Sequence, residues 1–161
     1  MSPSLPPRLR SVTSLVPATA VAVADVGAGH GALAAYLALH HGGRVVIATE
    51  LSPGPLAELR HNLAAWHVAD RVEVRRGDGL GALGSGEVEV AVVAGMGART
   101  ALGIAAQAPA RGVRWLILQC MQRDHLVEPW LSARGWPVVA RDVCLQRGHT
   151  YTARLIEVAA S

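Results

Sequence analysis

Three acids stand at or just past the carboxyl ends of successive β-rich runs: Asp25 in the run 21–26, Glu50 after 44–49 and Asp78 after 71–76. The first leads into "ADVGAGHGAL", residues 24–33, where glycines let the backbone approach a ligand and free N–H groups face it. Taken alone the stretch is ambiguous. Gly27, Gly29 and Ala32 also satisfy the relaxed dinucleotide pattern G-x-G-x-x-A, and Glu50 suits a ribose diol in either NAD or S-adenosylmethionine. Two features tilt the choice toward S-adenosylmethionine. Asp25 can face an ammonium group, whereas an acid beside a pyrophosphate is repulsive. In "RRGDGL", Asp78 is placed to accept from an adenine amino group.

The elements that must position these acids alternate along the chain. Apolar β-rich runs at 21–26, 44–49, 71–76, 88–93 and 113–119 are separated mostly by helical patterns, which signals a parallel α/β sheet. Leu56, Leu59, Leu63 and Trp66 repeat on one helical face, with Pro53 and Pro55 in its first turn, and Leu126, Val127, Trp130 and Leu131 predict another helix. The tail "WPVVARDVCLQRGHTYTARLIEV" reads as two extended runs joined around Gly148 with no room for a crossover helix, so they pair antiparallel. The expected fold is α/β: one domain over 1–161 with a Rossmann-like sheet of seven strands, the last antiparallel, the shape of class I methyltransferases.

Composition excludes several classes. The chain of 161 residues carries 15 basic and 12 acidic side chains, a net charge of +3; every base is arginine, and phenylalanine is absent. That bias resembles genomic composition, so the basic balance is weak support for nucleic-acid binding. Arg8, Arg10, Arg75 and Arg76 are read as surface charge. Cys120 and Cys144 lack the spacing of a zinc site and are expected to be reduced. His40-His41 is not a metal pair, because adjacent helical residues point apart; no metal is expected. The segment "SVTSLVPATAVAVA" imitates a secretory signal, but cleavage after Ala24 would remove the first strand. No run reaches the roughly 18 residues of a membrane span. The expectation is a cytoplasmic protein, possible as a monomer.

Beyond these general features, the chain resembles the bacterial tRNA adenine-N1 methyltransferases that modify the D arm at position 22. The match runs through "PRLRSVTSLVP", "IATELSPGPL", "RVEVRRGDGLGAL", "VVAGMGA", "LILQ", "WLSARGWPV" and "GHTYTARLIEV". The resemblance implies His30 and the loop Ala94-Gly95-Met96-Gly97 as catalytic positions, and Asp25, Gly27, Gly29, His30, Glu50, Leu51, Asp78, Gly79 and Ala94 as the lining of the cofactor site. Arg99, beside that loop, is the candidate phosphate contact, and Tyr151, Trp115 or Trp130 a stacking partner for the base. The chain departs from the family at Gly29, where Asp is usual, at Ala98, where Gly is usual, and at Cys120-Met121, where Pro-Asn is usual. Family members also carry a carboxy-terminal helical hairpin that helps hold tRNA, and it is not expected here.

The implied chemistry is transfer of a methyl group to N1 of adenine in tRNA. That nitrogen carries a lone pair at neutral pH, so no strong general base is needed and rate comes from proximity and orientation. Backbone groups of Ala94 to Gly97 read the base edge, and a base inside a folded tRNA must first be extruded. A small-molecule methyltransferase and a non-catalytic module that binds the cofactor or its product both keep the three acids and remain as alternatives.

Overall fold

The computed structural model describes residues 2–40 and 43–160; His41, of the adjacent histidine pair, lies outside them. Seven strands form one sheet: β1 (Ala22–Val26), β2 (Val45–Glu50), β3 (Val72–Arg76), β4 (Val90–Met96), β5 (Trp115–Cys120), β6 (Val138–Gln146) and β7 (His149–Glu157). Their order is β3-β2-β1-β4-β5-β7-β6. The first five run parallel; β7 pairs antiparallel with β6, as the tail pattern predicts, and inserts between it and β5. Strand order reverses between β1 and β4, and in an open α/β sheet ligands bind in the crevice outside the carboxyl ends at such a point.

Five helices cover the sheet: α1 (Pro7–Ser14), α2 (Ala32–His40), α3 (Pro53–Ala65), α4 (Ala98–Ala105) and α5 (Val127–Ala133). Successive strand residues face opposite layers. Ala22, Ala24 and Val26 of β1 pack with Leu102 of α4 and Leu131 of α5, while Val23 packs with Val12 of α1, Leu37 of α2 and Leu63 of α3. In α3 the predicted face is buried through Leu56, Leu59 and Leu63, each contributing about 1.5–3 kcal/mol by burial. Leu126 stops short of its expected helix, falling in a 3-10 turn (Asp124–Leu126) ahead of α5.

The same alternation sets the site. Asp25 shares its parity with Val23, Glu50 with Val46 and Ala48, and Gln119 with Ile117, so all three stand on the sheet face covered by α1, α2 and α3. On the opposite face Arg154 of β7, 6% exposed, donates to both oxygens of Asp124 at 2.7 Å and to Glu128 at 3.1 Å. This bidentate pairing ties the inserted strand to α5.

Two expectations are corrected. The segment before β1 forms helix α1, whose Leu5, Val12 and Val16 are buried, and Arg8 on it is half-buried rather than surface charge. Arg75 is also engaged: it donates to Glu73 at 2.8 Å, to Glu87 at 2.7 and 2.5 Å and to the Ala82 carbonyl at 3.2 Å. No described helix is long and apolar enough to cross a membrane.

Candidate functional site

β1 is buried along its whole length, and its fourth residue is a carboxylate. Asp25 is 4% exposed, and its Oδ2 has no hydrogen-bond partner. Burial raises its pKa from 3.8 to about 7, the Ala34 backbone N–H opposes the rise, and the charge of Glu50 adds to it. A buried carboxylate left this way is costly unless a ligand completes it. It borders a cavity of about 230 Å³ that Arg8, Gly27, His30, Ala94 and Gly95 also line. A larger depression of about 660 Å³ lies by Arg44, Val45 and Asp70 at the amino ends of β2 and β3, away from the acids. The smaller cavity sits at the switch point, and we take it as the site.

The turn after β1 is built for close approach. Gly27 has φ +69°, a left-handed backbone that favours glycine, and a Cβ there would stand 2.8 Å from Met96 Cε, so a larger residue would also push the methionine end aside. Glu50 at the end of β2 accepts from Gly29 N–H and from Leu51 N–H, each at 3.1 Å, which fixes its carboxylate beside the turn with lone pairs to spare. Leu51 itself is exposed. Asp78 is exposed after β3 and caps nothing with its side chain; its carbonyl accepts from Gly81, and Gly79 behind it is buried.

His30 stands at the cavity rim, its side chain 79% exposed and Nδ1 2.9 Å from Glu58 Oε1 of α3. Arg99 is exposed in the first turn of α4 beside Gly97, and Tyr151 is half-buried on β7, opposite Cys144. Trp115 and Trp130 do not join them. Trp115 begins β5 at the far end of the sheet, under the Arg114 guanidinium, and Trp130 packs edge-on against Trp136 with Arg134 over its ring.

The expected loop Ala94 to Gly97 is a correction of another kind. Ala94, Gly95 and Met96 are the last residues of β4, and the β4–β5 register shifts between Ala94 and Met96, leaving Gly95 as a bulge. Its backbone is largely engaged. Gly95 N–H donates to Gln119 Oε1 at 3.1 Å, the Met96 carbonyl accepts from Met121 N–H at 2.9 Å, and the Gly97 carbonyl from Ala101 N–H at 3.0 Å. Fewer groups are free to read a base than the sequence suggests.

Sequence reading missed Gln119 and Arg8. Gln119 Oε1 also accepts from Arg8 Nη1 at 2.8 Å, while its Nε2 donates to the Cys120 carbonyl at 3.0 Å. Burial pulls the Arg8 pKa down, against opposing influences from Tyr151 and Cys144. Both residues had signals. Gln119 is a polar residue closing an apolar run, as Asp25 is, and Leu5, Leu9, Val12 and Val16 have helical spacing. Among the described residues no cluster of three or more His, Cys, Asp or Glu side chains is placed to hold a metal ion.

A protein-family model described as a methyltransferase domain matches residues 5–153. The chain belongs to that family. A tRNA (adenine(22)-N(1))-methyltransferase of Bacillus subtilis (strain 168) is 28% identical over 152 residues, 93% of this chain. The chain spans 63% of that relative's length. Among solved structures, the B. subtilis m1A22 tRNA methyltransferase TrmK superposes with TM-score 0.87 at 26% identity, covering 98% of this chain and 68% of that one. The Streptococcus pneumoniae protein Sp1610, in complex with S-adenosyl-L-methionine, gives 0.88 at 28% identity, covering 98% and 75%. These relatives match the resemblance carried by the motifs.

Proposed function

We propose that this domain binds S-adenosyl-L-methionine and methylates N1 of an adenine in tRNA. The observation that carries the cofactor half is Asp25, a buried carboxylate with an unpartnered oxygen beside a glycine turn at the switch point. The likeness to m1A22 methyltransferases supports the tRNA half.

The residues present fit the cofactor. Asp25 takes the ammonium of its methionine portion, Glu50 the ribose diol, and Asp78 the adenine amino group. When bound, S-adenosylmethionine supplies a methyl group on a sulfonium: the adenine N1 lone pair forms the new C–N bond as the C–S bond breaks. The chain's own work is placement. Gln119 holds the Gly95 bulge, Gly27 admits Met96 against the turn, and no side chain need remove a proton, since N1 is unprotonated at neutral pH. Arg99 is positioned for a backbone phosphate and Tyr151 for stacking on an extruded base.

The test is transfer of a labelled methyl group from S-adenosylmethionine to unmodified tRNA, followed by nucleoside analysis. Label in 1-methyladenosine is expected. Cofactor binding with no labelled tRNA, at low salt or with cell extract added, would overturn the tRNA assignment and leave the cofactor reading standing.

A further inference from the structure

Arg8 and Asp25 line one small cavity without meeting. Both border the cavity of about 230 Å³, and among the described residues they form no ion pair with each other. Each keeps a buried atom with no hydrogen-bond partner, Oδ2 of Asp25 and Nε of Arg8. Arg8 is nevertheless fixed: its Nη1 donates to Gln119 Oε1 at 2.8 Å, and its backbone N–H donates to Gln146 Oε1 at 3.0 Å. A Cβ on Gly95 would lie 3.3 Å from Nη1, so the guanidinium rests against the bulge.

An anion and a cation held apart in one cavity select for a ligand that carries both charges. A diphosphate would satisfy Arg8 and be repelled by Asp25; a polyamine would do the reverse. An α-amino acid group, with ammonium and carboxylate on a single carbon, satisfies both. His30, the other basic side chain lining this cavity, is mostly exposed and paired with Glu58.

We propose that Arg8 is the counter-ion for the carboxylate of the cofactor's methionine portion, which makes α1 a wall of the cofactor site. The inference rests on the cofactor reading above and names the group that recognises the carboxylate.

The experiment compares S-adenosylhomocysteine with its decarboxylated analogue by calorimetry, in the wild-type chain and in Arg8→Met and Arg8→Lys. Wild-type protein is expected to prefer the carboxylate-bearing ligand by about tenfold to a hundredfold, the scale of a charge-assisted hydrogen bond. Arg8→Met should abolish the preference, and Arg8→Lys should restore part of it. A merely structural role for Arg8 weakens both ligands together and leaves their ratio unchanged, so an unchanged ratio in a folded Arg8→Met protein overturns the assignment. Equal binding of the two ligands by the wild type overturns it as well, with the cofactor reading intact. Binding of neither by the wild type overturns both.

Discussion

The side-chain oxygen of Gln119 takes the place of a strand partner for Gly95, accepting its N–H at 3.1 Å where the β4–β5 register breaks. The same oxygen anchors Arg8, so one buried amide sets both the bulge and the cation beside it. Gln119→Leu is expected to strip an acceptor from two donors and cost about 1–3 kcal/mol of stability. Turnover should fall further than cofactor affinity, because the proposed function asks the bulge to place the substrate base as well as to border the cofactor cavity. Thermal unfolding, cofactor titration and single-turnover transfer on the same protein check this. Equal losses of affinity and turnover would argue against a positioning role.

Asp25 gives cofactor binding a pH dependence. Its pKa in the free protein is raised to about 7, while an ammonium ligand favours the ionised form. Below about 7 binding must expel a proton, and affinity should drop by up to tenfold per pH unit; above 7 it should level off. Glu50 helps raise this pKa, and Arg8 lines the same cavity as Asp25. Calorimetry from pH 5.5 to 8 in buffers of different ionisation enthalpy measures the proton released. Asp25→Asn should flatten the profile and weaken binding by about 1–3 kcal/mol. Stability of the free protein follows with opposite sign. A carboxyl whose folded pKa lies above its unfolded value of 3.8 costs nothing below that value, and its cost grows to completion as pH rises through about 7.

Glu50→Ala is expected to weaken S-adenosylmethionine and S-adenosylhomocysteine by the same factor, since both carry the ribose that Glu50 would hold. The loss includes two backbone donors, Gly29 N–H and Leu51 N–H, left without their acceptor. Parallel titrations with the two ligands decide. Strong discrimination between them would move Glu50 toward the sulfur.

Arg99→Ala should lower tRNA turnover and leave cofactor affinity unchanged, because its side chain is exposed on α4 beyond the bulge. Wild-type activity should fall steeply as salt rises if arginines dock the RNA backbone. The assay is the initial rate of methyl transfer across a salt series. A flat salt response would remove phosphate docking from the account.

Asp25 and Glu50 were legible because local pattern alone dictates their positions. Each stands at or next to the carboxyl end of an apolar run, and period-two alternation puts each on a known face. The hairpin was legible for a similar reason, since too few residues separate its strands for a crossover. The bulge was not. "AGMG" looks like a loop because glycine breaks patterns, and what carries the strand through it lies 24 positions away, in the pairing of Met96 with Cys120 and the side chain of Gln119 on Gly95. Arg8 was misread because arginine defaults to solvent. Its burial depends on Gln119 and Gln146, which no local window contains.

The clasp between α1 and β6 also bears on timing. Arg8 and Gln146 lie 138 positions apart, and Ser11 reaches Asp142 across a similar span. A ribosome therefore releases the glycine turn and its acid long before the strands that hold α1 in place. Until β6 and β7 emerge, the cavity lacks the wall that carries Arg8, and such long-range closure is slow. A ligand that needs the complete cavity would therefore stabilise the finished domain by mass action, and not the chain still being made.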